Sequence, residues 1–173
     1  MPESIPTDPA RLAALARNVT TSLATLEQLA KSDLTFIRED VARHPNATGE
    51  LLLRLVPTTL ENEADRRVAA AVVSNPLTPG PALLAVARLL PPERLDGSRR
   101  ENWPWEDLAV ATLSHANFPV TDAVRLIQST HLSNDLKVRL AERRPNKGIL
   151  DLLSEDRSEK VCMAAAAASN YIK

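Results

Sequence analysis

The chain of 173 residues has one cysteine, Cys162, which excludes a disulfide framework and any multi-cysteine metal site within one chain. Aromatics are scarce as well: two Phe, two Trp and one Tyr. With few aromatic or β-branched side chains to cover a pleated surface, a sheet is disfavoured. The four glycines stand more than fifteen residues apart, so neither a Walker loop nor a dinucleotide fingerprint is present. Charge of one sign is missing too. Twenty-one basic and 22 acidic side chains leave a formal net charge of -1, and no global field steers the protein to nucleic acid or anionic lipid. No apolar run approaches the ~20 residues that span a bilayer. The opening stretch from Met1 to Pro9 has no basic region followed by an apolar one, which predicts no secretory signal. These absences predict a cytoplasmic protein without cofactor, metal or membrane contact.

What is abundant points one way. Leucine (26) and alanine (25) make up 51 of the 173 residues, and both are strong helix formers. Length suggests one domain, and composition predicts an all-α fold with an aliphatic core.

That composition is organised in a repeat. Asn18, His44, Asn75, His115, Arg143 and Asn170 serve as anchors. Three before them stand Leu15, Val41, Val72, Thr112, Leu140 and Ala167, and two before them Ala16, Ala42, Val73, Leu113, Ala141 and Ala168. Seven before the last five stand Ile37, Val68, Leu108, Leu136 and Met163. This spacing is one face of a helix. Pro45 and Pro76 follow their anchors directly, and Pro145 follows two later. Gly49, Gly80 and Gly148 all stand five after theirs, and Pro79 and Pro119 four after. The pattern predicts a helix that stops, then a turn, then a shorter helix. Asn, and His in its place, suit a left-handed residue past a helix end. Thr48, Thr78 and Thr121 offer caps for the second helix. Anchor spacings are 26, 31, 40, 28 and 27 residues. A unit of this size cannot bury its own apolar face, so stacking into a helical-repeat solenoid of about six irregular units is expected. The expected organisation is a flexible tail over 1–10, then one repeat domain over 11–173 with an inserted loop around 91–105.

The stretch from Val41 to Leu52, and Ser74 to Pro79 with Leu83 and Leu84, resemble the leucine-rich repeat variant family of bacteria. That family's pattern is Val-Ala-x-Asn-Pro-Asn-Thr-Pro followed by paired leucine. The resemblance covers residues 12 to 173 and is clear in the first three copies. Ala116 and Asn117 depart from it in the fourth, and Arg143 and Arg144 in the fifth. It implies alternating α and 3₁₀ helices wound into a right-handed superhelix. Some relatives carry an iron–sulfur cysteine cluster, which the lone Cys162 does not match. A HEAT-like stack of α-helix pairs is the alternative architecture.

No catalytic constellation is visible, which predicts a protein that is not an enzyme. His44 and His115, two units apart, are expected to lie too far from each other to share a metal and to act as turn residues in place of Asn. His131 lies in a polar connector. Cys162 reads as an inert packing residue. Glu39-Asp40 and Glu155-Asp156 read as surface charges or helix-start residues. The insertion before the fourth anchor holds both tryptophans beside an arginine pair, residue types enriched at binding hot spots. Arg99, Arg100, Trp103 and Trp105 are therefore the expected partner-binding residues, with one tryptophan able to serve as a plug. Arginine pairs at Arg66-Arg67, Arg99-Arg100 and Arg143-Arg144 have acidic neighbours, which favours a solvated, ion-paired face. The expected function is a non-enzymatic module or scaffold binding another protein, and the alternative is nucleic-acid binding through an arginine-lined concave surface. The alanine run from Ala164 to Ala168 presents small apolar surface where a polar cap is expected. That points to a trimmed continuation, a partner or self-association at this end.

Overall fold

A computed structural model of the protein describes residues 7–97, 103–143 and 145–170, the side chain of Trp103 apart. Among the described residues the chain is all-α, with eleven α-helices, one short 3₁₀ turn and no strand. The backbone packs as two compact units, Met1–Ala82 and Leu83–Lys173.

The first unit holds α1 (Pro9–Arg17), α2 (Leu23–Leu29), α3 (Thr35–Arg43), α4 (Gly49–Leu55), α5 (Glu63–Ser74) and the start of α6 (Gly80–Leu89). Helix α3 packs against both α1 and α5, while α2 and α4 lie against it as well. Side chains three or two before the first three anchors meet here. Ala16, Val41, Ala42 and Val72 join Leu26, Ile37, Leu51, Leu52 and Val68 in one core. Helix α1 starts at Pro9, inside the segment expected to be a tail, because Asp8 accepts from the Arg11 N–H at 3.1 Å and Pro9 suits a first helical position.

The second unit holds the rest of α6, the 3₁₀ turn Pro92–Arg94, α7 (Trp103–Leu113), α8 (Val120–Ser129), α9 (Asn134–Glu142), α10 (Lys147–Ser154) and α11 (Glu159–Ser169). Helix α9 packs against α7 and α11, and α10 against α8, α9 and α11. Leu108, Leu113, Leu136, Leu140, Ile149, Leu150 and Val161 are buried. The connector after α6 is tied down by Leu95, which is 1% exposed and whose carbonyl accepts the Ser133 N–H at 3.0 Å. Gly97 completes that tie with φ at +73°, and a Cβ there would stand 2.7 Å from the Ser133 Cβ. Only glycine fits both demands. Of the loop expected over 91–105, Trp103 to Trp105 are instead the first turn of α7.

The repeated turn is real in four copies, with a different mechanism from the expected one. The N–H of each of Asn18, His44, Asn75 and His115 bonds the carbonyl three residues before it. Each carbonyl in turn accepts the N–H three residues later, from Thr21, Ala47, Thr78 and Phe118, at 2.8 to 3.0 Å. Yet Asn18, His44 and Asn75 have φ of -74°, -70° and -79°, so no left-handed residue is needed. Asn and His are there for their side chains. Each accepts the N–H two residues on: Thr20 to Asn18 Oδ1 at 3.1 Å, Asn46 to His44 Nδ1 at 3.0 Å, Leu77 to Asn75 Oδ1 at 2.9 Å and Asn117 to His115 Nδ1 at 3.1 Å.

Several local expectations change. Thr48 caps α4 through the Leu51 N–H, but Thr78 turns inward to donate to the Val72 carbonyl, and Thr121 lies inside α8. The second helices of the units are α-helical, not 3₁₀. The sixth copy slips out of register: Met163 is 66% exposed and Ala167 is exposed, while Val161, Ala165 and Ala168 are buried. A run of alanines has no periodicity of its own, so packing of Val161 sets the phase.

Candidate interaction surface

Of the four residues expected to bind a partner, Arg99 and Arg100 lie outside the described residues. Trp103 opens α7, and Trp105 sits half-buried in its first turn. Glu106 follows, and it is 5% exposed. Its Oε2 lies 3.2 Å from the Nη1 of Arg139 on α9, whose Nη2 bonds Asp107. Burial raises the Glu106 carboxyl above its usual 4.5. Arg139 pulls against that, and the charges of Asp107, Asp135 and Asp96 reinforce it.

An open groove of about 1030 Å³ runs along the second unit, between the α8–α9 and α10–α11 connectors. Its lining includes Asp96, His131, Ser133, Lys137, Asp156 and Arg157. Asp156 organises one wall: its carboxylate takes the Lys137 ammonium at 2.8 Å and the Ser158 N–H at 2.9 Å, while its carbonyl accepts the Cys162 thiol at 2.9 Å. Burial alone would raise the Asp156 carboxyl. Lys137, the Ser158 N–H and Arg157 outweigh it, so the net displacement is downward. At the α9–α11 edge the exposed Asp135 is held below its usual value by its hydrogen bond to Lys160, whose own ammonium is raised by the same contact. A groove with both charges on its rim offers polar recognition. Among the described residues no three His, Cys, Asp or Glu side chains cluster closely enough to hold a metal.

Of the four carboxylates expected at the surface, Glu39 is buried and Asp40 and Asp156 are half-buried. Glu39 is 4% exposed, with Arg43 one turn later and Arg67 of α5 reaching it from the next helix. The Nε of Arg67 stands 2.9 Å from Oε1 as a charge contact without an aligned hydrogen bond. Glu39 sits four before an arginine and three before the buried Ala42, which is the signal in the sequence that marks it. Asp156 is half-buried under Lys137. Its cue was weaker, an Asp two residues before the Ser158 that precedes a helix.

Four of the described arginines serve internal contacts. Arg66 donates to the Leu60 and Glu61 carbonyls, Arg67 faces Glu39, Arg17 bonds Asp40 at 2.8 Å and Arg54 bonds Glu27 at 2.8 Å. Arg143 is exposed, and Arg144 lies outside the described residues. His44 is 3% exposed. Its Nδ1 accepts from Asn46, so the proton sits on Nε2, which donates to the Asn18 carbonyl at 2.9 Å. No described helix is long and apolar enough to cross a membrane. No protein-family model, curated protein or solved structure matches this chain.

Proposed function

We propose that the chain is a non-enzymatic helical-repeat module of solenoid type that binds another protein. The observation that carries this reading is the turn repeated with the same backbone hydrogen bonds at Asn18, His44, Asn75 and His115. A unit that recurs with its bonding intact is the building block of an extended binding surface. Within each unit the first helices lie in a row, α1 on α3 on α5 and α7 on α9 on α11, as stacked repeats do. The α-helical second elements favour a HEAT-like pair over the α/3₁₀ alternation of the leucine-rich repeat variant family. Trp103 and Trp105, with Arg99 and Arg100 beside them, are the contact residues in this proposal. The internal partners of Arg17, Arg54, Arg66 and Arg67 speak against an arginine-lined nucleic-acid face.

The test is affinity capture from lysate of the source organism, with and without nuclease, using wild type and the Trp103→Ala/Trp105→Ala variant. A nuclease-resistant protein partner that the variant no longer captures, with helical circular dichroism and melting unchanged, supports the proposal. Loss of folding in the variant makes the tryptophans structural plugs. Capture that vanishes with nuclease moves the function to nucleic acid, and such binding would weaken steeply with salt.

A further inference from the structure

Both units carry a glutamate buried between successive first helices, and the two differ in charge balance. Glu39, on α3, faces two guanidiniums, Arg43 from its own helix and Arg67 from α5. Glu106, on α7, faces one. Arg139 of α9 is divided between Glu106 and its neighbour Asp107. From α9 comes a further carboxylate, Asp135, itself bound to Lys160 of α11, and from the connector after α6 comes Asp96. The charges of Asp107, Asp135 and Asp96 thus all bear on Glu106, and that of Arg139 opposes them. The Oε1 atoms of both glutamates are buried and accept no hydrogen bond, but at Glu39 the Arg67 Nε stands 2.9 Å from that oxygen. An ionised Glu106 lies out of water with one oxygen unsatisfied, which is the costly state of a buried acid.

We infer that the contact between α7 and α9 is proton-dependent, tight when Glu106 is neutral and loosened when it ionises. A proton takes the place that the second guanidinium holds at Glu39. Because the folded-state carboxyl titrates above its unfolded value, its stabilising share is complete below about 4.5 and is lost as pH rises through the folded value.

The experiment uses the full chain, with the side-chain carboxyl carbon of Glu106 followed by NMR through a pH titration. The expected midpoint lies above 4.5, and amide protection in α7 and α9, corrected for intrinsic exchange, falls across the same interval. Asp107→Asn, at a side chain 69% exposed, releases Arg139 to Glu106 and shifts the midpoint down. Glu106→Gln removes the loss of protection in α7 and α9 with rising pH. A wild-type midpoint at or below 4.5 overturns the inference. So does protection in α7 and α9 that does not follow the titration, or an unmoved midpoint in Asp107→Asn. The last variant and the wild-type titration decide the matter even if Glu106→Gln does not fold.

Discussion

Asn75→Ala is the perturbation that tests the turn mechanism most directly. Asn75 is 3% exposed and its amide nitrogen donates to two carbonyls of the preceding turn, Ala42 at 2.8 Å and His44 at 3.2 Å. Its Oδ1 takes the Leu77 N–H at 2.9 Å. These three bonds are not of equal weight. The His44 carbonyl keeps the Ala47 N–H at 3.0 Å, and Leu77 is 52% exposed, so water replaces that loss. The Ala42 carbonyl is the partner with no substitute, and the residue is fully buried. In a continuing helix its carbonyl would take the Asn46 N–H, but that N–H is turned to His44 Nδ1. Without Asn75 the Ala42 carbonyl is buried and unpaired. One orphaned carbonyl costs about 1–3 kcal/mol and the weakened turn bonds about 1 kcal/mol more, for a loss of about 2–4 kcal/mol. Urea unfolding followed by circular dichroism reads this as a lowered midpoint at unchanged slope. Asn75→Asp costs more than Asn75→Ala, since a carboxylate facing the Ala42 carbonyl has nothing to donate. Asn75→His costs about as much as Asn75→Ala, because a ring placed as in His44 reaches only the carbonyl of the preceding anchor and leaves Ala42 unpaired. An alanine variant within about 0.5 kcal/mol of wild type, the range of an ordinary surface change, or an aspartate variant as stable as the histidine one, would refute the reasoning.

Two glycines of one repeat position should respond in opposite ways. A Cβ on Gly148 meets the Val120 Cγ1 at 2.7 Å, so Gly148→Ala forces a shift in α8 or α10 and costs about 1–3 kcal/mol. At Gly49 the nearest atom is the Pro79 Cγ at 3.4 Å, ordinary contact, and Gly49→Ala is neutral or gains up to about 1 kcal/mol in thermal melting. Asp156 gives a pH signature. Its folded-state carboxyl lies below the usual 3.8, so its contribution is present above that value and is lost as pH falls through the folded one. The advantage of wild type over Asp156→Asn in urea midpoint is therefore full at neutral pH and vanishes in strong acid; an advantage that persists there would exclude this origin.

The repeat was legible because apolar spacing, proline and glycine all mark one frame. Ile37, Val41 and Ala42, and likewise Leu136, Leu140 and Ala141, are buried where that frame puts them. Less was legible in the turns. Asn and His at a helix end suggest positive φ on frequency alone, and the distinction between that and a side-chain acceptor needs the position of the N–H two residues on. Thr78 shows the same limit: its hydroxyl has two reachable uses, a cap or the Val72 carbonyl, and in the fold, where Thr78 is fully buried, it takes the second. Glu39 and Glu106 were missed for a related reason. A charged residue beside an apolar stripe reads as surface, and only the arrival of Arg67 or Arg139 from a helix 28 or 33 residues later makes it interior. The groove of the second unit joins two connectors that are far apart in sequence, and neither alone carries a recognisable motif.

The chemistry of the anchor also accounts for where the repeat degenerates. An anchor must accept one N–H from its own turn while donating to the turn before. Asn does this with its two amide atoms and His with its two ring nitrogens, which is why His44 and Asn75 both serve as anchors. Arginine has five donors and no acceptor. Arg143 therefore cannot receive the N–H of Pro145's neighbourhood in this manner, and proline at 145 has no N–H to offer. The fifth turn accordingly closes differently: Arg143 stays in the helical region at φ -73° and ψ -4°, and the cap passes to Asn146, whose Oδ1 accepts the Gly148 N–H at 3.1 Å. That displacement starts α10 at Lys147, one residue before the glycine, where α4 and α6 start on theirs. Gly148 is thereby carried into the second helical position and against Val120, which leaves no room for a side chain. One substitution of an acceptor-free residue at the anchor thus moves the cap, shifts the helix start and turns a tolerant glycine into a required one.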